Sequence, residues 1–190
     1  NLPGRELENI HFAMDYLPQQ NRINAGLDLG RGEKINAAGK IVVVIGGGDT
    51  GSDCIGTARR QGAKEIHQYE ILPQPPEGVN PETPWPLWPR VLRTSSSQAE
   101  GCHRRWCVGT KEFTGDGTHV MELPGCEVQW AEAEGKRRMS EVPGTEVSQR
   151  ADLVLLAMGF THVVHTGAVQ SLGLELDGRV NAILGPDGQT

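Results

Sequence analysis

The sequence lacks a basic excess, a cysteine framework, a long hydrophobic run and a large aromatic content. Lys and Arg number 18 against 24 Asp and Glu, for a net charge of −6, which argues against a surface that holds a nucleic-acid backbone. The longest apolar stretches, Ile41–Ile45 and Leu153–Met158, fall far short of the roughly 20 residues that span a bilayer, so no membrane association is expected. Four cysteines, Cys54, Cys102, Cys107 and Cys126, in 190 residues do not make a disulfide scaffold, and no Asn-x-Ser/Thr sequon is present. Both point to a reducing compartment, the cytoplasm or an organelle interior. The opening residues, Asn1-Leu2-Pro3-Gly4-Arg5-Glu6, hold no initiator Met, cationic stretch or apolar signal core and do not read as a natural protein start.

What is present suits one globular folding unit. Hydrophobic residues make up 37% of the chain and charged residues 22%, with 25 Gly and 12 Pro, outside the compositions of disordered chains. Leu7, Ile10, Met14 and Leu17 have helical spacing, which Pro18 should end. A Gly- and charge-rich connection, 26–39, follows. Ile41–Ile45 is an unbroken β-branched run without alternation, as expected of a strand buried on both faces of a parallel sheet. Asp49 to Gln61 reads as a helix with Gly62 just past its end, and Glu65–Leu72 as the next strand. Strand, glycine turn, helix and strand form a βαβ unit.

Seven of the twelve prolines lie between Pro73 and Pro89, among them Trp85 and Trp88, so this stretch is a long extended loop. From Val108 to Val147, short apolar pieces alternate with the turn signals Gly115-Asp116-Gly117, Pro124-Gly125, Glu134-Gly135 and Pro143-Gly144, the pattern of an antiparallel meander. Asp152–Gly159 contains a second apolar strand that should return beside the first. The fold class is therefore α/β, a Rossmann-like parallel sheet with an inserted antiparallel β-meander.

Gly46-x-Gly48-x-x-Gly51, between strand and helix, is the context in which such glycines bind a dinucleotide. Gly46 permits the turn, Gly48 lets the backbone approach a pyrophosphate, and Gly51 allows close helix packing. The helix N-terminus offers free N–H groups and a partial positive charge to phosphate. Gly47 completes the turn, and Asp49 and Thr50 are placed to cap the helix or touch the ribose. Glu70, nineteen positions past Gly51, stands where a carboxylate accepts hydrogen bonds from ribose hydroxyls and repels a 2′-phosphate, which favours NADH. Arg59, Arg60, Arg90 and Arg93 are near enough in sequence to supply a phosphate clamp, which favours NADPH.

Several longer motifs carry a resemblance. Val42–Cys54 with its Gly46-Gly47-Gly48-Asp49-Thr50-Gly51 core, Ile71-Leu72-Pro73-Gln74-Pro75-Pro76, Pro84-Trp85-Pro86-Leu87-Trp88-Pro89-Arg90 and Leu153–Phe160 closely resemble the small (beta) subunit of glutamate synthase. Pro3–Leu7 and Phe12–Asn21 also match, so the resemblance covers nearly the whole chain. It implies a flavoprotein of the two-dinucleotide-binding kind, similar in architecture to glutathione reductase and to the amino-terminal part of dihydropyrimidine dehydrogenase. In that family NADH or NADPH gives a hydride to FAD. Electrons then pass through 4Fe-4S clusters to the large (alpha) subunit for glutamate synthesis. By resemblance, Met158 and Gly159 pass close to bound nucleotide. The family's FAD fingerprint and cluster cysteines are absent from these 190 residues. The implied organisation is 1–39 as a flank of the FAD-binding domain, 40–160 as the NAD(P)-binding domain and 161–190 as the start of the returning FAD-domain segment.

Other constellations are weaker. Cys102-His103 with Cys107, and His162-x-x-His165, lack the partner spacing of a metal site, and no metal ligand or catalytic acid or base is assigned. Arg104-Arg105 and Lys136-Arg137-Arg138 read as solvated turns, or as contacts to phosphate or an acidic partner. Trp85 and Trp88 favour packing between domains over docking of the large subunit. Two function classes follow: an NAD(P)H-dependent flavoprotein oxidoreductase as part of a longer chain, or a nucleotide-binding or subunit-interaction module without turnover of its own.

Overall fold

A computed structural model describes residues 2–30, 34–87, 89–133 and 135–187. The chain forms two compact units, Asn1–Met158 and Gly159–Thr190. In the first, β1 (Ile10–Phe12), α1 (Ala13–Asn24), β2 (Ile41–Ile45), α2 (Asp49–Arg60), β3 (Glu65–Glu70), α3 (Ser96–Ala99) and β4 (His103–Trp106) are followed by β5 (Val108–Thr110), β6 (Thr114–Gly115), β7 (Val120–Ala133), β8 (Lys136–Glu141), β9 (Val147–Arg150) and β10 (Leu153–Leu156).

The parallel sheet has the order β1-β10-β2-β3-β4, with Leu153–Leu156 paired against Val42–Ile45 as the second apolar run required. Both faces are covered. Val42, Val44, Leu153 and Leu155 pack with Tyr16, Ile55 and Ala58 of the helices. Val43, Val154 and Leu156 pack with Val108, Phe113 and Leu123 of the antiparallel layer. Alternate residues of one strand thus enter two different cores, which is why β2 shows no polar alternation.

The structure corrects several local expectations. Ile10 belongs to a strand, and α1 runs through Pro18 instead of stopping there. A proline inside a helix forfeits one backbone hydrogen bond, and the complete burial of Tyr16, whose hydroxyl donates to Gln61 Oε1 at 2.9 Å, holds this helix in place regardless. β3 ends at Glu70, two residues before the expected Leu72. Pro124-Gly125 is no turn. It lies inside the continuous β7, where that strand exchanges partners, from β9 at Glu122–Gly125 to β8 beyond Val128. Gly125 suits the crossing, because a Cβ there would lie 2.6 Å from the Gly109 carbonyl oxygen. Asp116-Gly117, Gly135 and Pro143-Gly144 fall between strands, while Gly115 ends β6 and Glu134 lies outside the described residues. β1, β4 and α3 extend the βαβ unit beyond what periodicity indicated, and β1 and α1 sit in the same compact unit as the sheet.

The second unit is small. Leu176 and Ala182 form an antiparallel bridge, the His165 ring contacts the Val180 carbonyl oxygen at 2.9 Å, and His162 stacks on His165 at 4.6 Å. Among the described residues no helix is long and apolar enough to cross a membrane.

Candidate nucleotide-binding site

β2 delivers its glycine turn to the C-terminal edge of the parallel sheet, where open α/β sheets bind ligands. Gly46 has φ +128°, and a Cβ on it would collide with the Ala157 carbonyl oxygen beyond β10. Its N–H donates to the Tyr69 carbonyl at 2.8 Å, and its own carbonyl accepts from Gln68 Nε2 at 2.9 Å. A Cβ at Gly51 would collide with that same Gly46 carbonyl, so its constraint is the close pass of α2 under the turn. Gly48, the N-cap of α2, faces open space, and no side chain caps the helix. Asp49 and Thr50 therefore leave the first N–H groups of α2 without a side-chain acceptor, in place of the capping role the sequence suggested.

Gly47 has a neighbour the sequence did not reveal: a Cβ there would displace the Glu70 carboxylate, whose Oε2 occupies that space. The Glu70 carboxylate thus lies against the glycine turn, and its other oxygen accepts from the Leu72 N–H at 3.2 Å. A cavity of about 320 Å³ opens here, lined by Gly47, Gly48, Asp49 and Glu70, by Pro73 and Pro75, and by the return limb of the proline loop, Pro89–Arg93. Arg104 and Trp106 of β4 complete it.

Of the four arginines proposed from sequence, Arg90 and Arg93 reach this cavity, whereas Arg59 and Arg60 bond to Glu100 on the outer face. Arg104 joins them from β4, with its guanidinium carbon 4.9 Å from the Trp106 ring centroid and Nη1 donating to the Arg93 carbonyl at 3.1 Å. Trp106 went unnoticed in the sequence because only the register of β3 with β4, which sets Glu70 beside Trp106, brings it to the site. Met158 is exposed just past β10. Gly159 has φ +85° in the second unit, a conformation that favours glycine.

The proline loop is internally bonded. Asn80, 8% exposed, donates through Nδ2 to the Arg90 carbonyl at 3.1 Å, and the Arg90 N–H donates to Thr83 Oγ1 at 3.0 Å. Trp85 is 92% exposed at its tip, while Trp88 lies outside the described residues. Among those residues no group of three or more His, Cys, Asp or Glu is arranged to hold a metal.

A Mycobacterium tuberculosis protein named glutamate synthase [NADPH] small chain is 43% identical over 192 aligned residues, covering 100% of this chain and 38% of that protein. The chain is homologous to a stretch of the glutamate synthase small chain. It spans well under half the length of that relative. Saccharomyces cerevisiae glutamate synthase [NADH] is 41% identical over 169 residues, covering 84% of this chain and 8% of the yeast protein. No protein-family model matches. Among solved structures, Mycobacterium tuberculosis FprA in complex with NADPH superposes with a TM-score of 0.56 at 16% identity, covering 100% of this chain and 56% of FprA. At that identity the likeness concerns the fold alone.

Proposed function

We propose that the glycine turn and the cavity beside it hold the pyridine nucleotide of a glutamate synthase-type oxidoreductase. In the longer protein, hydride passes from NAD(P)H to FAD. The carrying observation is the Glu70 carboxylate packed on Gly47 at the mouth of an uncapped α2. Open N–H groups and the helix dipole there suit a pyrophosphate, and Glu70 suits a pair of ribose hydroxyls. The dinucleotide supplies a hydride when bound. The chain's own residues bind and orient it: Gly46, Gly47, Gly48 and Gly51 shape the phosphate seat, Asp49, Thr50 and Glu70 flank the ribose, and Met158 and Gly159 border the path of the nucleotide. Hydride transfer requires alignment more than proton movement, so no catalytic acid or base is assigned.

Glu70 supports NADH as the preferred donor. Arg90, Arg93 and Arg104 around the same cavity support a second reading, in which they bind a 2′-phosphate and the donor is NADPH. Comparing NADH and NADPH affinities of the full-length protein decides between them. With NADH as donor, Glu70→Arg shifts the preference toward NADPH; a wild-type preference for NADPH refutes the Glu70 assignment. If neither nucleotide binds, the site itself is wrong.

Residues 40–160 are proposed as the NAD(P)-binding domain, with 1–39 and 161–190 flanking it toward an FAD-binding domain. FAD, 4Fe-4S clusters outside this segment, a large-subunit partner and a cytoplasmic location complete the proposal. The full-length protein should then be yellow and bleach with reduced nucleotide, and a colourless protein would refute it.

A further inference from the structure

Gln68 is 2% exposed in the middle of a largely aliphatic sheet. A buried primary amide needs partners for both its NH2 and its carbonyl. Gln68 Nε2 donates to the Gly46 carbonyl at 2.9 Å, and Gln68 Oε1 accepts from Gln98 Nε2 at 2.9 Å. Gln98, itself 7% exposed, accepts through Oε1 from the Ser95 N–H at 3.0 Å. Ser95 Oγ in turn accepts from the Gln98 N–H at 3.1 Å and hydrogen-bonds Ser52 Oγ in the first turn of α2.

The direction of this relay is set at both ends by the main chain. The Ser95 N–H is only a donor and the Gly46 carbonyl only an acceptor, so each amide has one orientation that satisfies it. The relay also joins two parts of the nucleotide site that are distant in sequence. One end holds the carbonyl of the glycine turn. The other lies two residues past Arg93, on the limb whose Arg90 and Arg93 line the cavity. Neither glutamine lines the cavity, so any effect on the ligand must be exerted through what they hold.

We propose that the Gln68–Gln98 relay is a positioning and specificity device. It fixes the arginine-bearing limb in register with the glycine turn and Glu70, and thereby sets how strongly the site distinguishes a nucleotide with a 2′-phosphate from one without. This inference rests on the nucleotide reading of the site. A purely structural role would lower stability when the relay is broken but would leave the nucleotide KM values and the NADH-to-NADPH ratio unmoved.

The test uses the full-length flavoprotein with Gln68→Met, Gln98→Met and the double variant, assayed by NADH and NADPH oxidation with ferricyanide and by thermal melting. Because the Ser95 N–H and the Gly46 carbonyl lose these partners in it, the double variant should melt below wild type. Its KM for at least one nucleotide should rise and the NADH-to-NADPH ratio of kcat/KM should move by about fivefold or more, with kcat at saturation changed less than about twofold. A folded, FAD-loaded double variant with both KM values and that ratio unchanged overturns the proposal. If the double variant does not fold, Gln98→Met carries the same prediction from outside the sheet, and unchanged constants there overturn it equally. If the wild-type protein saturates with neither nucleotide, the nucleotide reading falls and this inference falls with it.

Discussion

Gly51→Ala separates the proposed phosphate-seat role of the glycine turn from ordinary helix energetics. In an unconstrained helix interior, Ala is favoured over Gly by about 1 kcal/mol. Here the new Cβ would overlap the Gly46 carbonyl oxygen and lie 3.2 Å from Gln68 Nε2. Both atoms are held, since Gln68 donates to that carbonyl and the Gly46 N–H is bonded to Tyr69. The turn must shift to relieve the overlap, and such overpacking costs about 1–3 kcal/mol. The net change is a modest destabilisation of about 0–2 kcal/mol. Binding should suffer more. A turn displaced from the phosphates forfeits charge-assisted hydrogen bonds worth about 1.5–3 kcal/mol, or about 10- to 100-fold in Kd. Urea denaturation and NADH titration of the full-length protein measure the two effects. A Gly51→Ala protein that is more stable than wild type and binds NADH unchanged would refute the reasoning.

Three further predictions concern the rest of the first unit. Leu155, fully buried between β1 and β2, should cost about 2–5 kcal/mol when changed to Ala, read as a lower urea midpoint. The His67 imidazole is held below its ordinary value chiefly by burial, which outweighs the opposing hydrogen bond with Glu65; the charges of His103 and Arg105 lower it further and that of Glu65 raises it. Folding therefore favours the neutral ring. The stability this provides is complete above the unfolded pKa of about 6.5 and is lost as pH falls toward the lowered folded value, so a fall in stability between pH 7.5 and 5.5 should shrink in His67→Gln. Finally, Cys54 is buried, its thiol pushed up to about 12 mainly by burial, and Cys126 is buried too. Alkylation of the native protein followed by mass mapping should modify the half-buried Cys102 or Cys107 before either of them, and early labelling of Cys54 would contradict the packing of α2 on the sheet.

Much of the central architecture is legible in the chain because it is local. The β-branched run of β2, the glycines after it, the proline-free stretch of α2 and the apolar β10 each announce themselves within a dozen residues, and together they specify a buried parallel strand feeding a helix. Failures come where a tertiary contact overrides a local rule. Ile10 reads as part of a helix, yet its pairing with Val154 makes it a strand. Pro18 reads as a stop, yet the anchored Tyr16 carries the helix past it. Pro124-Gly125 reads as a turn, yet three neighbouring strands keep β7 extended through it.

The site divides along the same line. The sequence alone located the glycine turn and the acidic residue at the end of β3, because a βαβ unit of the dinucleotide-binding type places both at nearly constant spacing. It could rank neither Arg59 and Arg60 against Arg90 and Arg93 nor detect Arg104, Trp106 and the Gln68–Gln98 relay. Those choices depend on which strand lies beside β3 and on where a proline-stiffened loop returns, and both are settled by long-range pairing and packing that leave no periodic trace in the chain.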